Sequence, residues 1–163
     1  MHIKTWPAAF ESLFAAVVTA ASITPPSPTI TEPTGNGVFA MDQSVGFNSA
    51  AFAFFGGNSN NGTFTARITG WRKLGDLWIP VPLLALAGTL GAMTGVAGQA
   101  VTNSQLFADT LTASTAFTTA YEIINPTADQ IALVKVDAFG CRKLQVQLAK
   151  NSCDNVGALG AGF

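Results

Sequence analysis

A chain of 163 residues is long enough to bury one substantial core and too short for two comfortable domains. Only 10% of its residues are charged, although 48% are hydrophobic and the mean hydropathy is +0.37; a soluble domain usually carries roughly 25% charge. Eight Lys/Arg against nine Asp/Glu leave a net charge of -1, and the densest basic clusters, Arg72-Lys73 and Arg142-Lys143, hold two charges each, which excludes a phosphate-neutralising, nucleic-acid-binding surface.

At the N-terminus, Lys4 precedes the apolar run Leu13–Ala21, the outline of an export signal. The run is short, and Pro7 and Glu11 lie ahead of it with a single basic side chain, so the expectation is a protein made in the cytoplasm and not exported through a signal peptide. Residues 8–22 admit two readings: Phe10, Leu13, Phe14 and Val17 follow helical spacing, while Val17-Val18-Thr19 suits a strand. A Pro/Thr segment from Ile23 to Thr34 follows, with Pro25, Pro26, Pro28 and Pro33. Proline fixes φ and removes a donor, so this is an extended crossing without regular pairing. Residues 1–36 are therefore expected to form an arm ahead of a domain over 37–163.

From Gly37 the chain reads as strand after strand. Val38–Met41 and Ser49–Phe55 come first, then the turn-forming residues 56–62, whose Asn61-Gly62 pair favours a tight hairpin. Thr63–Trp71 alternates, with Phe64, Ala66 and Ile68 on one face and Thr63, Thr65, Arg67 and Thr69 on the other. Gly75-Asp76 predicts a second hairpin, joining Trp71–Leu74 to Leu77–Val81. Further strands are expected at Leu83–Leu90, Ser104–Thr112, Thr118–Ile124, Ile131–Asp137 and Arg142–Leu148. Strands at this spacing define an all-β chain, a β-sandwich and in particular a jelly roll.

Two apolar stretches bear on this reading. Leu77 to Ala108 carries no charged residue and is long enough to span a bilayer. Yet Pro80, Pro82 and four glycines interrupt it, and its large residues Leu84, Leu86 and Leu90 fall on alternate positions. Period two marks a buried strand rather than a membrane helix. The tail Val156–Phe163 is small, apolar and uncharged, suited to docking in a neighbour's groove or to packing back on its own domain; Leu159 and Phe163 are its candidate contact residues.

Chemistry is sparse. The one histidine, His2, sits at the terminus, where no rigid pairing with a nucleophile is expected. Two cysteines and one distant histidine do not make a zinc site, and no phosphate-cradling glycine loop appears. Cys141 and Cys153 enclose 11 residues; a disulfide is open to them, but two reduced thiols are the simpler expectation. Asp129 and Asp137 flank one strand and Asp109 and Glu122 border another pair; loop carboxylates can bind calcium or act as an acid/base pair, but solvated turn residues and salt bridges with Lys135 or Arg142 are the simpler expectation. Trp71, Trp78 and Arg72 admit a sugar-stacking platform, although aromatics beside a turn more often anchor a core or interface. No metal, cofactor or catalytic residue is expected. The filler, 26 Ala, 18 Thr, 16 Gly and 12 Phe with one Tyr, suits close-packed sheet and burial against other subunits.

The segment Ala66-Arg-Ile-Thr-Gly-Trp-Arg-Lys-Leu-Gly-Asp-Leu-Trp-Ile-Pro-Val-Pro-Leu-Leu84 resembles a stretch recurring in structural proteins of tailed bacteriophages. There an Arg–Gly–Trp–Arg strand turns at Gly and returns through Leu-Trp-Ile/Val-Pro. Thr89-Leu-Gly91 and Phe107-Ala-Asp109-Thr110 fit the same picture, and the resemblance covers residues 64–163. It implies a capsid cement or decoration protein, a jelly roll or β-sandwich sitting as a homotrimer on the outer capsid surface of the virion with the major capsid protein as partner. Trp71, Arg72, Trp78 and Pro80 would then be fold or interface residues. A receptor- or glycan-binding β-sandwich of a phage tail or bacterial surface is the alternative.

Overall fold

The computed structural model describes residues 11–14, 18–41, 48–55, 62–90, 108–115, 121–124, 133–138, 140–153 and 156–162. Within them lie ten strands: β1 (Glu11–Ser12), β2 (Val38–Ala40), β3 (Ser49–Phe55), β4 (Gly62–Leu74), β5 (Leu77–Leu90), β6 (Ala108–Thr115), β7 (Tyr121–Ile124), β8 (Leu133–Asp137), β9 (Lys143–Lys150) and β10 (Gly157–Gly162). They form two five-stranded antiparallel sheets, β1-β10-β3-β8-β7 and β2-β9-β4-β5-β6. The chain is all-β, with no helix among the described residues, and two such sheets over one core are consistent with a β-sandwich.

Alternation builds that core. Phe52, Phe54, Val134, Val136 and Ala158 of the first sheet meet Phe64, Ala66, Ile68, Leu84, Leu86, Leu144, Val146 and Leu148 of the second in one cluster. Phe39 of β2 meets Phe52 of β3 edge-on with centroids 6.4 Å apart, and Phe54 tilts over Phe64 at 5.4 Å. Such ring pairs add about 0.5–1.5 kcal/mol beyond their buried area. On β9 the inward Leu144, Val146 and Leu148 alternate with half-buried Lys143, Gln145 and Gln147.

The long β4–β5 hairpin dominates the second sheet. It pairs from Gly62↔Leu90 to Leu74↔Leu77, turning through Gly75 at φ 59°. The register steps from Ile68↔Leu84 to Thr69↔Pro82, a bulge at Leu83, and Leu83 and Leu84 are both fully buried. The expected strands Trp71–Leu74 and Thr63–Trp71 are thus one, as are Leu77–Val81 and Leu83–Leu90. Pro80 and Pro82 sit inside β5, where only 85–90 pair with β6. They share the parity of Trp78, whose N–H points to the sheet's outer edge, so their missing donors fall on the side that β6 does not reach.

Two expectations change. β3 pairs with β10 and β8, and β4 with β5 and β9; β3 and β4 therefore belong to different sheets and form no hairpin with each other, their inward faces opposed across the core. The helical reading of residues 8–22 is not met among its described residues: Glu11–Ser12 pairs with Gly160 and Leu159, and Val18 bridges Val156. The tail packs on its own domain, as β10 between β1 and β3. Residues 91–107, most of the uncharged stretch beyond β5, and the turn 56–61 lie outside the described residues. No described helix is long and apolar enough to cross a membrane.

Candidate interaction surface

Four of the six contact residues expected from sequence lie on the β4–β5 hairpin. Cross-strand pairs set Trp71 opposite Pro80 and Lys73 opposite Trp78, so Trp71, Lys73, Trp78 and Pro80 share the outward face of the second sheet. Trp71 also pairs with Lys143 of β9, and its indole Nε1–H donates to Gln145 Oε1 at 3.0 Å. Arg72 points to the opposite face and is exposed.

The two tryptophans are not open to solvent: Trp71 is 4% and Trp78 5% exposed. The Pro-rich segment covers this face. Leaving Val18, it accepts a hydrogen bond from the Lys150 amide at Ala20 O and from Gln147 Nε2 at Thr24 O (2.7 Å). It then reaches the far edge of the hairpin, where Thr29 and Trp78 exchange both backbone hydrogen bonds, at 3.0 and 2.7 Å. It returns to β9, where Lys143 Nζ donates to Pro33 O at 2.8 Å and meets Glu32 Oε1 at 2.5 Å. At Gly37 the peptide N–H reaches Leu13 O and the carbonyl accepts from the Val146 amide before β2 begins. Residues 19–36 are thus a strap laid across β9, β4 and β5.

Lys143 is the hub of that strap. Its ammonium lies 5.8 Å from the Trp78 ring centroid, with Lys73 Nζ at 5.7 Å, both within cation–π range. The Lys143 hydrogen bond and charge hold the Glu32 carboxyl below its usual range. Sequence alternation left Lys143, Gln145 and Gln147 as a solvated polar face. The signal available was the strap itself: a run rich in proline keeps its carbonyls but has few partners of its own, and a row of Lys and Gln donors is what those acceptors require.

Leu159 lies in β10, half-buried, opposite Ala53 and Ser12; Phe163 is outside the described residues. Cys141 and Cys153 are buried and not joined by a disulfide. They sit at opposite ends of the eight-residue β9, which at about 3.3 Å per residue separates them by roughly 26 Å, far beyond disulfide reach. Burial pushes the Cys141 thiol up, opposed by Arg72, so it is protonated near neutrality and a poor nucleophile.

Little else resembles a reaction centre. A groove of about 680 Å³ runs between β1 and β2, lined by Leu13, Phe14, Val38 and Phe39 and, among the described residues, by no charged side chain. No group of three or more His, Cys, Asp and Glu able to hold a metal occurs among the described residues. Asp137 Oδ1 accepts from Ser49 Oγ at 2.7 Å, and Glu122 stands in register with Lys135. Asp109 belongs to the second sheet and Glu122 to the first; Asp129 and His2 lie outside the described residues. No family model matches the chain, and comparisons with curated proteins and with solved structures gave no match.

Proposed function

We propose that this chain is a structural protein of a bacteriophage virion, a jelly-roll cement or decoration protein that sits as a homotrimer on the outer head and holds neighbouring major capsid subunits together. The observation that carries the reading is the strand order. With β6 and β7 set aside as added edge strands, the other eight, numbered in chain order, run 1-8-3-6 in one sheet and 2-7-4-5 in the other. That order supports the jelly-roll reading, since two nested Greek keys, an architecture used by viral capsid and lectin domains, run the same way.

A fold alone does not choose a function. Against a lectin, both tryptophans of the candidate sugar platform lie beneath the strap, with no ring face offered for stacking. In favour of an assembly protein, a surface this poor in charge does little to keep copies apart. The N-terminal arm, residues 1–36, belongs to the same unit in this reading, its strap armouring the outward sheet. Attachment is additive: each contact is weak, and a trimer engaging several capsid subunits gains from effective concentration.

The test is location and oligomeric state. Sedimentation equilibrium without detergent is expected to give a trimer, and purified particles are expected to carry the chain on their heads through mild heating and chelation. Monomer alone, together with absence from particles, ends this reading.

A further inference from the structure

The β4–β5 hairpin outruns the sheet it packs against. β4 and β5 have 13 and 14 residues, whereas β3 and β8 opposite have 7 and 5. The inward face of the hairpin therefore continues past the core. Val81 still packs against the cluster and Ile79 is half-buried, but Leu77 is 37% and Leu74 70% exposed. The strap extends the row: Thr29 bridges Trp78 antiparallel, which sets Ile30, 80% exposed, at the register position beside Leu77. Among the residues whose side chains are described, these three are the exposed large hydrophobics.

The exposed cations among the described residues collect at the same end. Arg72 and Lys73 precede Leu74, and the Arg142 amide donates to Trp71 O at 2.8 Å, one step beyond the Trp71↔Lys143 pair. Arg142 thus stands in register with Arg72. All three are exposed, whereas Arg67, Lys135, Lys143 and Lys150 are half-buried. Asp76 in the turn is the opposing charge at the tip; Glu32 is engaged by Lys143.

We propose that this overhang is a docking surface for a partner protein that presents an apolar strip edged with carboxylates. Leu74, Leu77 and Ile30 supply the apolar contact, and Arg72 and Arg142 its charged border, while Lys73 projects from the other face toward Trp78. An unpaired sheet face in water is a liability that a partner removes, and the basic border steers and selects an acidic one. A two-fold copy of this chain is disfavoured, because it would bring Arg72 and Arg142 against their own images. Nucleic acid is disfavoured because two cations neutralise too few phosphates. The inference deepens the assembly reading and rests on it, naming the face through which the chain meets its neighbour.

The test uses the full chain and a fluorescein-labelled eight-residue peptide alternating Leu and Asp, with a Leu/Lys counterpart as control. Anisotropy at low salt is expected to show saturable binding of the acidic peptide only, weakened at least tenfold in Leu74→Ser/Leu77→Ser, in Ile30→Ser and in Arg72→Glu/Arg142→Glu. All the replaced side chains are exposed, and an unchanged urea midpoint confirms that each variant is folded. Equal binding of both peptides, no binding, or no loss in the folded variants overturns the proposal. Sedimentation velocity supplies the second arm: an oligomer abolished by Leu74→Ser/Leu77→Ser assigns the face to another copy and also overturns it. Absence from particles would defeat the assembly reading alone, while a failed peptide arm with head attachment intact defeats this inference alone.

Discussion

Glycines set the closest approaches in this protein, and two of them separate kinds of constraint. A Cβ at Gly70 would lie 2.3 Å from Cys141 Sγ and 3.1 Å from Leu83 Cδ1; one at Gly62 would lie 2.3 Å from Cys153 Cα. In the first case a side chain obstructs, in the second the backbone. Gly70→Ala is expected to cost about 1–3 kcal/mol, the usual range for overpacking, and Cys141→Ala in the same chain should restore part of that loss. Gly62→Ala should cost more, and Cys153→Ala should recover almost nothing, since backbone cannot rotate away. Urea unfolding of the single and double variants measures both couplings. Equal rescue at the two sites would mean that backbone and side chain yield alike.

At the scale of elements, the strap is the part whose role depends on conditions. It has little apolar burial of its own: of its prolines only Pro33 is buried. Hydrogen bonds and the Glu32–Lys143 pair hold it instead, and that pair joins a 15%-exposed ammonium to a 58%-exposed carboxylate. The Lys143 hydrogen bond and then its charge lower the folded-state pKa of Glu32. A depressed carboxyl pKa contributes stability above its unfolded value, and that contribution is lost as pH falls through the lower folded value. Acid below the ordinary glutamate range is therefore expected to loosen the strap and change the fluorescence of Trp71 and Trp78 before global unfolding. Glu32→Gln should flatten that limb, and Lys143→Met should give the changed signal already at neutral pH. Superimposable acid limbs in wild type and Glu32→Gln would remove Glu32 from the latch.

The same segment marks where sequence reading stopped. Hydrophobic alternation made Thr63–Trp71, Leu84–Leu90 and the Lys143–Leu148 face legible, because each is a local period-two pattern. What the strap covers was not legible: its proline content says that it is extended but carries no periodicity to name its contact face. Trp71 and Trp78 read as core or interface anchors, with nothing in the sequence to say that a segment at least 35 residues earlier lies over their face. The Asn61-Gly62 turn misled for a related reason. Turn chemistry reports a local reversal of the chain and not whether the strands that follow share a sheet.

On the scale of the molecule, the chain closes on itself near its ends. Glu11 pairs with Gly160 and Ser12 with Leu159, while β10 also pairs with β3 from Gly157↔Phe55 to Gly162↔Ala50. The apolar tail is therefore an interior strand of the first sheet, with Ala158 in the core and Ala161 buried on the opposite face. Such pairing is almost wholly non-local, so folding should be slow, in the millisecond-to-second range typical of β-sandwiches. It also makes the C-terminus indispensable. Deleting residues 157–163 removes the partner of β1 and one partner of β3, exposing the edge beside Phe52 and Phe54. A total stability of about 5–15 kcal/mol does not survive the loss of an inner strand and its ladder. The truncated chain is expected to show no cooperative urea transition and to aggregate, whereas a tail that served only to dock into a neighbour would leave a folded, monomeric domain. Sedimentation velocity and far-UV circular dichroism of the truncation distinguish the two. A well-folded truncation would place the tail in assembly rather than in the core, and would return Leu159 to the surface through which copies meet.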